Sequence, residues 1–294
     1  MRIFVTGGTG FFGKSILARR KAAPGASDCY TILSRDPDRF RRDNPRFADL
    51  PGVSWVKGDV RDFAFPEGPF DAIVHAATCA VTTLSDAEQT RVILDGARRV
   101  AAFAKACGCR TVLFTSSGAV YGPQTVPVSE DAPCRPVTAY GKSKLAAECL
   151  LLDAGLDVKI ARCFAFTGPC LNRDIHYAIG NFIRDALAGR PIVVQGDGTP
   201  WRSYLFADDL VDWLFAILEK GEIGHPYNVG SDQAVSIHAL AEIVSRVLGG
   251  GPVKVLGQPS GAPPSVYVPV VARARCELGL SVTIPLEEAI RKSV

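Results

Sequence analysis

The chain has 294 residues, of which 47% are hydrophobic and 21% charged, with a formal net charge of +3. That length supports one large α/β unit or two intimately packed lobes, and so small a charge makes no case for nucleic acid or an anionic membrane as partner. No apolar run approaches the roughly 20 residues that span a bilayer; the opening "MRIFVTGGTGFFG" starts a strand at once, leaves no room for a signal peptide and predicts a cytoplasmic protein.

Taken in chain order, short β-branched runs alternate with longer helical patterns. "RIFVTG" reads as a strand, "GKSILARRKAA" as a helix and "CYTILS" as the second strand, with "VSWVKGD" and "DAIVHAA" as further strands. "EQTRVILDGARRVAAFAKACG" is a long amphipathic helix that stops at Gly108. "RTVLFTSS", a helix from Tyr140 and "LDVKIARCF" continue the alternation. Near-continuous apolar strands separated by helices predict an α/β fold, a Rossmann-type doubly wound parallel sheet covered on both faces. After about residue 165 the pattern loosens into loops rich in Gly and Pro, with helices near 176–188, 207–220 and 236–248. A first domain over 1–165 is therefore expected, with some later chain, about 203–226, returning to it. A smaller C-terminal lobe over 166–294 rests on the carboxyl edge of the sheet, where open α/β sheets bind ligands.

The nine cysteines are an odd number, scattered mostly in apolar segments, and read as reduced thiols. With four histidines and no clustering of His with Cys or Asp, no metal site is expected.

"VTGGTGFFG" places Gly7, Gly10 and Gly13 between the first strand and the first helix. Gly7 permits the tight turn, Gly10 lets backbone approach a pyrophosphate, and Gly13 allows close packing of helix on strand. The helix then offers unpaired N–H groups to the anion. Further on, "TSSGAVYG" follows the fifth strand and "TAYGKSKLAAE" opens a helix. Tyr140 and Lys144, four residues apart, share a helix face, so an ammonium can lie near a phenol and lower its pKa from about 10. A tyrosine so tuned can exchange a proton with a substrate oxygen.

The Gly-x-x-Gly-x-x-Gly spacing, the Ser117 motif and the Tyr-x-x-x-Lys pair, in this order, resemble the extended short-chain dehydrogenase/reductase superfamily, the NAD-dependent epimerase/dehydratase type that modifies nucleotide sugars. The resemblance covers nearly the whole chain. It implies that Ser117, Tyr140 and Lys144 are catalytic: Ser117 orients the reacting oxygen, Tyr140 moves its proton, and Lys144 also binds the nicotinamide ribose. It places the cofactor against Gly7, Gly10, Phe11, Phe12 and Gly13, against Asp59 and Val60 at the adenine, and against Ala76, Ala77 and Thr115 at the strand ends. NAD users of that branch end the second strand in Asp or Glu; here Ser34 stands there with Arg35 next, which favours NADP(H), NAD(H) being the alternative.

In the second lobe, "GDGTPWRSYLFADDL" resembles the segment whose arginine contacts the substrate pyrophosphate, a role that falls to Arg202, and Asn181 is a candidate substrate contact. Two departures stand out. Ala165 replaces the Asn of the Arg-x-Phe-Asn motif, and a further phosphate-binding arginine is replaced, if at all, by Arg273 or Arg275. Asp208 and Asp209 are read as capping the next helix. Neither Gly118 nor Ala119 can move a proton where 4,6-dehydratases carry Asp and Glu, so dehydration is not expected, which leaves 4-epimerisation, decarboxylation, or net reduction or oxidation of a sugar carbon. The resemblance then implies an oxidoreductase on a nucleotide-activated sugar, chiefly an NADPH-using reductase of a 4-keto-6-deoxyhexose of the kind used in surface polysaccharides. Alternatives are an NAD-retaining 4-epimerase and a silent cofactor-binding sensor or scaffold. It also implies a homodimer through helices near 86–107 and 140–153.

Overall fold

The computed structural model describes residues 1–78, 84–175, 177–258 and 261–294. Its first half runs β1 (Arg2–Thr6), α1 (Phe11–Ala22), β2 (Cys29–Ser34), α2 (Pro37–Asp43), β3 (Val53–Lys57), β4 (Ala72–His75), α3 (Asp86–Cys107), β5 (Thr111–Ser117), α4 (Ala139–Asp153) and β6 (Asp157–Cys163). Then follow β7 (Phe166–Thr167), α5 (Ala178–Leu187), β8 (Ile192–Val194), β9 (Trp201–Arg202), β10 (Leu205–Phe206), α6 (Ala207–Lys220) and β11 (Pro226–Val229). The last are β12 (Val235–Ser236), α7 (Ile237–Leu248), β13 (Val253–Val255), β14 (Val266–Tyr267), α8 (Ala272–Leu278) and α9 (Leu286–Lys292).

Seven strands form one parallel sheet in the order β3-β2-β1-β4-β5-β6-β11. Period-two alternation serves both faces: Val5 and Ile32 point to a core shared with Ile16, Leu17, Leu210 and Trp213 of α1 and α6. Phe4, Ile73 and Phe114 point to the other, shared with Val100 and Phe103 of α3 and Ala147 and Leu151 of α4. The chain starts in the middle of the sheet and winds outward in both directions. Strand order reverses between β1 and β4, which opens a crevice at their carboxyl ends.

The helices start and stop where local chemistry provides for it. Ser85 accepts from the Glu88 N–H at the start of α3, and Gly108 ends that helix in the left-handed conformation. Thr138 caps α4 at the Gly141 N–H, so the helix opens at Ala139, one residue before Tyr140. The helix expected over 176–188 is α5; His176 lies outside the described residues. Late chain returns to the sheet as far as Val229, since β11 is its edge strand and α6 covers α1's face. A further hydrophobic core lies apart from the two on the sheet, with Ile179, Phe182 and Ile183 of α5 against Leu240, Ala241 and Val244 of α7.

Among the described residues no helix is long and apolar enough to cross a membrane, no three His, Cys, Asp or Glu side chains gather as a metal site, and eight cysteines are unpaired.

Candidate active site

The crevice begins at the glycine loop. Gly7 adopts φ +75, and a Cβ there would stand 2.5 Å from the Ala76 backbone, so only glycine fits. Gly13 is likewise required, its missing Cβ lying 2.1 Å from Gly8. Gly10 differs: a Cβ on it would meet nothing closer than the Gly7 carbonyl at 3.4 Å. The protein itself does not need glycine at that position; the space suits a ligand. Among the described residues no side chain caps α1, and no acidic residue stands in its first turn, so its N–H groups are open to an anion. Phe11 and Phe12 spend their rings on Phe166 and leave only backbone to an anion. These features fit a dinucleotide pyrophosphate.

Small residues continue this wall. Ala76 and Ala77 donate their N–H groups to the Thr6 carbonyl and hydroxyl at 3.2 Å each. His75 is fully buried, stacked on Phe114 with Nδ1 2.8 Å from the Thr6 hydroxyl, and burial pushes its pKa down to about 3. It is a neutral structural residue.

At the far end of the crevice Ser34 is buried and its hydroxyl accepts from the Asp36 N–H at 3.3 Å. Asp36 turns its carboxylate to the Arg39 N–H as the cap of α2. Arg35 is exposed and, among the described residues, makes no hydrogen bond or ion pair. Burial works against the Asp59 carboxylate, yet hydrogen bonds from Arg61, the nearest at 2.8 Å, hold it below the usual range. Val60 packs its methyls against Gly96 of α3.

Ser117, Tyr140 and Lys144 converge where β5 ends. Ser117 Oγ accepts from the Ala119 N–H at 3.2 Å and starts a 3₁₀ turn over Gly118–Tyr121. Gly141 lets α4 press on that turn, since a Cβ there would stand 2.6 Å from the Ala119 carbonyl. This close approach sets Tyr140 beside Ser117, whose hydroxyl favours the phenolate. Lys144 is 1% exposed and donates to the Thr115 carbonyl at 2.9 Å; Thr115 in turn donates its hydroxyl to the His75 carbonyl at 3.3 Å. The ammonium lies over two rings, 5.0 Å from the Phe114 centroid and 5.8 Å from that of Tyr140.

One expectation is corrected here. Lys144 was expected to lower the Tyr140 pKa, but burial raises it, helped by neighbouring Tyr267 and opposed by the Ser117 hydroxyl. Lys144 is itself lowered to about 8, burial outweighing the opposing influence of Cys163 and Glu148. A hydroxyl, a phenol and an ammonium so gathered can hold an oxygen and pass it a proton.

Tyr267 was missed in the sequence. Its hydroxyl lies 3.5 Å from Ser117 Oγ and 3.4 Å from the Cys163 carbonyl, with its pKa raised by burial to about 12. It stands in register with Arg202 across β14 and β9, and the Arg202 guanidinium lies 5.9 Å from its ring centroid. Arg202 thus reaches the same side of the site, its Nη1 donating to the Trp201 carbonyl at 2.7 Å. Asn181, on α5, carries a buried Oδ1 with no hydrogen-bond partner among the described residues, a polar atom still to be satisfied.

Arg273 is not brought to this place. It donates to the carbonyl of Pro226, the first residue of β11, at 2.9 Å and pairs with Asp131 at 2.6 Å. In a parallel sheet that is the amino end, opposite the site. Arg275 pairs with Asp232 at 2.9 Å. Asp209 does not cap its own helix; it accepts from the Thr283 N–H and hydroxyl and the Ile284 N–H and anchors that late loop.

Known proteins share this fold. Residues 3–230 match the NAD dependent epimerase/dehydratase family. Among curated relatives, UDP-glucuronic acid decarboxylase 6 of Arabidopsis thaliana is 29% identical over 99% of this chain and 87% of its own length. UDP-glucuronic acid decarboxylase 1 of Xenopus tropicalis is 28% identical over 100% of this chain and 71% of its own. Among solved structures, a UDP-galactose 4-epimerase superposes with TM-score 0.81 at 26% identity, covering 100% of this chain and 97% of that one. A UDP-glucuronic acid 4-epimerase from Bacillus cereus, in complex with UDP-glucuronic acid and NAD, superposes with TM-score 0.85 at 21% identity, covering 100% and 98%.

Proposed function

We infer the function from one premise: the chain belongs to the NAD dependent epimerase/dehydratase family. The relatives are nucleotide-sugar decarboxylases and epimerases, and the protein is an enzyme of this short-chain dehydrogenase/reductase type. The reading proposed is hydride exchange at a carbon of a nucleotide-activated sugar, and the observation that carries it is the meeting of Ser117, Tyr140 and Lys144 beside the glycine loop. A bound nicotinamide dinucleotide supplies or accepts the hydride. Ser117 holds the substrate oxygen, Tyr140 gives or takes its proton, and Lys144 adds positive charge that favours the phenolate. Arg202 takes the pyrophosphate, and Asn181 Oδ1 accepts from a substrate hydroxyl.

Net reduction of a 4-keto-6-deoxyhexose by NADPH is the form favoured. Its support is at the end of β2, where Ser34 offers no carboxylate to ribose hydroxyls, Asp36 is turned to α2 and Arg35 is free among the described residues to meet a 2′-phosphate. Gly118 and Ala119 supply no acid or base for dehydration. The NAD-retaining 4-epimerase is the second reading, supported by the epimerases among the structural neighbours. A silent sensor would not need both Tyr140 and Lys144. A homodimer is proposed through the outer faces of α3 and α4, where Ala102, Ala106, Ala146 and Cys149 are exposed.

The test is to denature the purified protein and identify any released cofactor by chromatography. An empty site that binds NADPH more tightly than NADH supports the reductase, with 4-keto sugars as the first substrates to assay. Stoichiometric NAD moves the assignment to the epimerase, with UDP-glucose, UDP-galactose and UDP-glucuronic acid as first substrates.

A further inference from the structure

Beneath the catalytic face of α4 lies an ion pair that proton transfer does not use. Glu148 is 3% and Arg162 7% exposed. Arg162 donates from Nε and Nη2 to the two carboxylate oxygens at 3.1 and 2.8 Å, and the Ser116 hydroxyl donates to one of them. Arg162 Nη1 donates to the Tyr121 hydroxyl at 3.1 Å, Tyr121 donates to Asn228 Oδ1 at 2.8 Å, and Asn228 donates from its side chain to the Val128 and Val270 carbonyls. The chain of bonds touches the neighbours of the site: Ser116 precedes Ser117, and Glu148 follows Lys144 by one helical turn.

Replacing a buried ion pair with apolar residues of similar volume is often neutral or stabilising, so stability alone does not account for it. What apolar residues would not supply is a fixed negative charge beside a buried ammonium. The groups that face Lys144 are the neutral His75 from β4, the Thr115 carbonyl from β5, the Cys163 thiol from β6, and Tyr140 and Glu148 from its own helix. From α3 the Thr90 hydroxyl accepts from Ser143, one residue before Lys144. Burial keeps the Cys163 and Tyr140 hydrogens in place, which leaves Glu148 as the anion of the set. Of the ion pair, it is the carboxylate whose field favours the charged lysine.

We propose that Glu148 is a positioning residue for the Tyr140–Lys144 pair: its buried carboxylate keeps the Lys144 ammonium protonated, and Arg162 and Ser116 hold that carboxylate in place. What the charge serves rests on the function proposed above; the charge itself is readable without turnover. In protein carrying lysine labelled with carbon-13 at Cε, the Lys144 resonance, assigned by its loss in Lys144→Met, is followed against pH. Glu148→Gln lowers its midpoint by roughly 1 pH unit or more. Ser116→Ala, which spares the carboxylate, moves it far less. Glu148→Gln/Arg162→Gln, free of the unpaired arginine that could unfold the single variant, shows the same downward shift. An unchanged midpoint in either folded Glu148 variant overturns the proposal, as does an equal shift in Ser116→Ala. The pH dependence of NADPH binding, read by fluorescence, then separates the two ideas. Its alkaline limb moves with the lysine midpoint if both hold. A wild-type protein that binds neither NADPH nor NADH while the lysine still shifts overturns the function and supports the role of Glu148.

Discussion

The Tyr267 hydroxyl faces Ser117 Oγ at 3.5 Å from 150 residues further along the chain, so that one serine hydroxyl lies close to two phenols. Tyr140 belongs to the helix that carries Lys144, whereas Tyr267 belongs to a strand paired with Arg202. Tyr140 has the Lys144 ammonium over its ring and Tyr267 the Arg202 guanidinium, which sets the first with the lysine of its own helix and the second with the arginine of the strand beside it. Tyr140→Phe should lower kcat by about 10²–10⁴-fold while leaving NADPH affinity within roughly 3-fold. Tyr267→Phe should act mainly on KM, with kcat changed by less than about 10-fold, since it removes a hydrogen bond and no proton donor. Steady-state kinetics of the two variants checks this; equal losses in kcat would give the acid–base role to both phenols.

The open space at Gly10 gives a second outcome. Gly10→Ala should leave the urea midpoint of the free protein close to wild type, the cost staying below about 1 kcal/mol. It should weaken NADPH at least 10-fold, because the methyl group takes ligand space. Gly7→Ala, forced against Ala76 at positive φ, should lose stability outright. Parallel denaturation and binding titrations distinguish the two glycines.

At the end of β2, Ser34→Asp puts a carboxylate where a 2′-phosphate would lie. The ratio of NADPH to NADH affinity should fall at least 10-fold, and Arg35→Ala should lower it in the same direction by removing the cation. Fluorescence titration with both cofactors reads the ratio; no change in either variant would remove the ground for an NADP preference.

His75 makes the fold sensitive to acid. Its pKa of about 3 in the native state lies below the usual value of about 6.5, so the unfolded chain binds the extra proton between those limits. Its contribution is intact above about pH 6.5 and is lost as pH falls toward 3. By pH 5 this one residue costs roughly 2 kcal/mol. His75→Phe should lose correspondingly less stability between pH 7.5 and pH 5 in urea denaturation, even though it starts lower from the lost bond to Thr6.

What could be read from the sequence was local. Gly7, Gly10 and Gly13 declare a turn, and Tyr140 and Lys144 share a face by helical spacing alone. The strands and helices that carry them, and the helices at 207–220 and 237–248, follow from periodicity and caps. What could not be read depends on distant segments meeting. Tyr267 reaches Ser117 only through its pairing with Arg202, and Glu148 meets Arg162 only because α4 lies on β6. Arg273 has the right chemistry for a phosphate, but α8 delivers it to the wrong end of β11. The Tyr140 phenol was misjudged because spacing reveals a neighbouring charge and not the burial that outweighs it.

The sheet takes its seventh strand from residues 226–229 and one of its covering helices from 207–220. During synthesis, therefore, β6 leaves the ribosome with its outer edge bare, and Ile16 and Leu17 of α1 wait for partners that lie some two hundred residues downstream. A chain cut after residue 165 would keep the glycine loop and the Tyr–Lys helix, yet expose an unpaired strand and an uncovered apolar layer, the combination that draws partly made proteins into aggregates. The cofactor half of this enzyme is thus not a module that could be inherited, expressed or swapped by itself: the nascent chain needs its last third before its first third is safe.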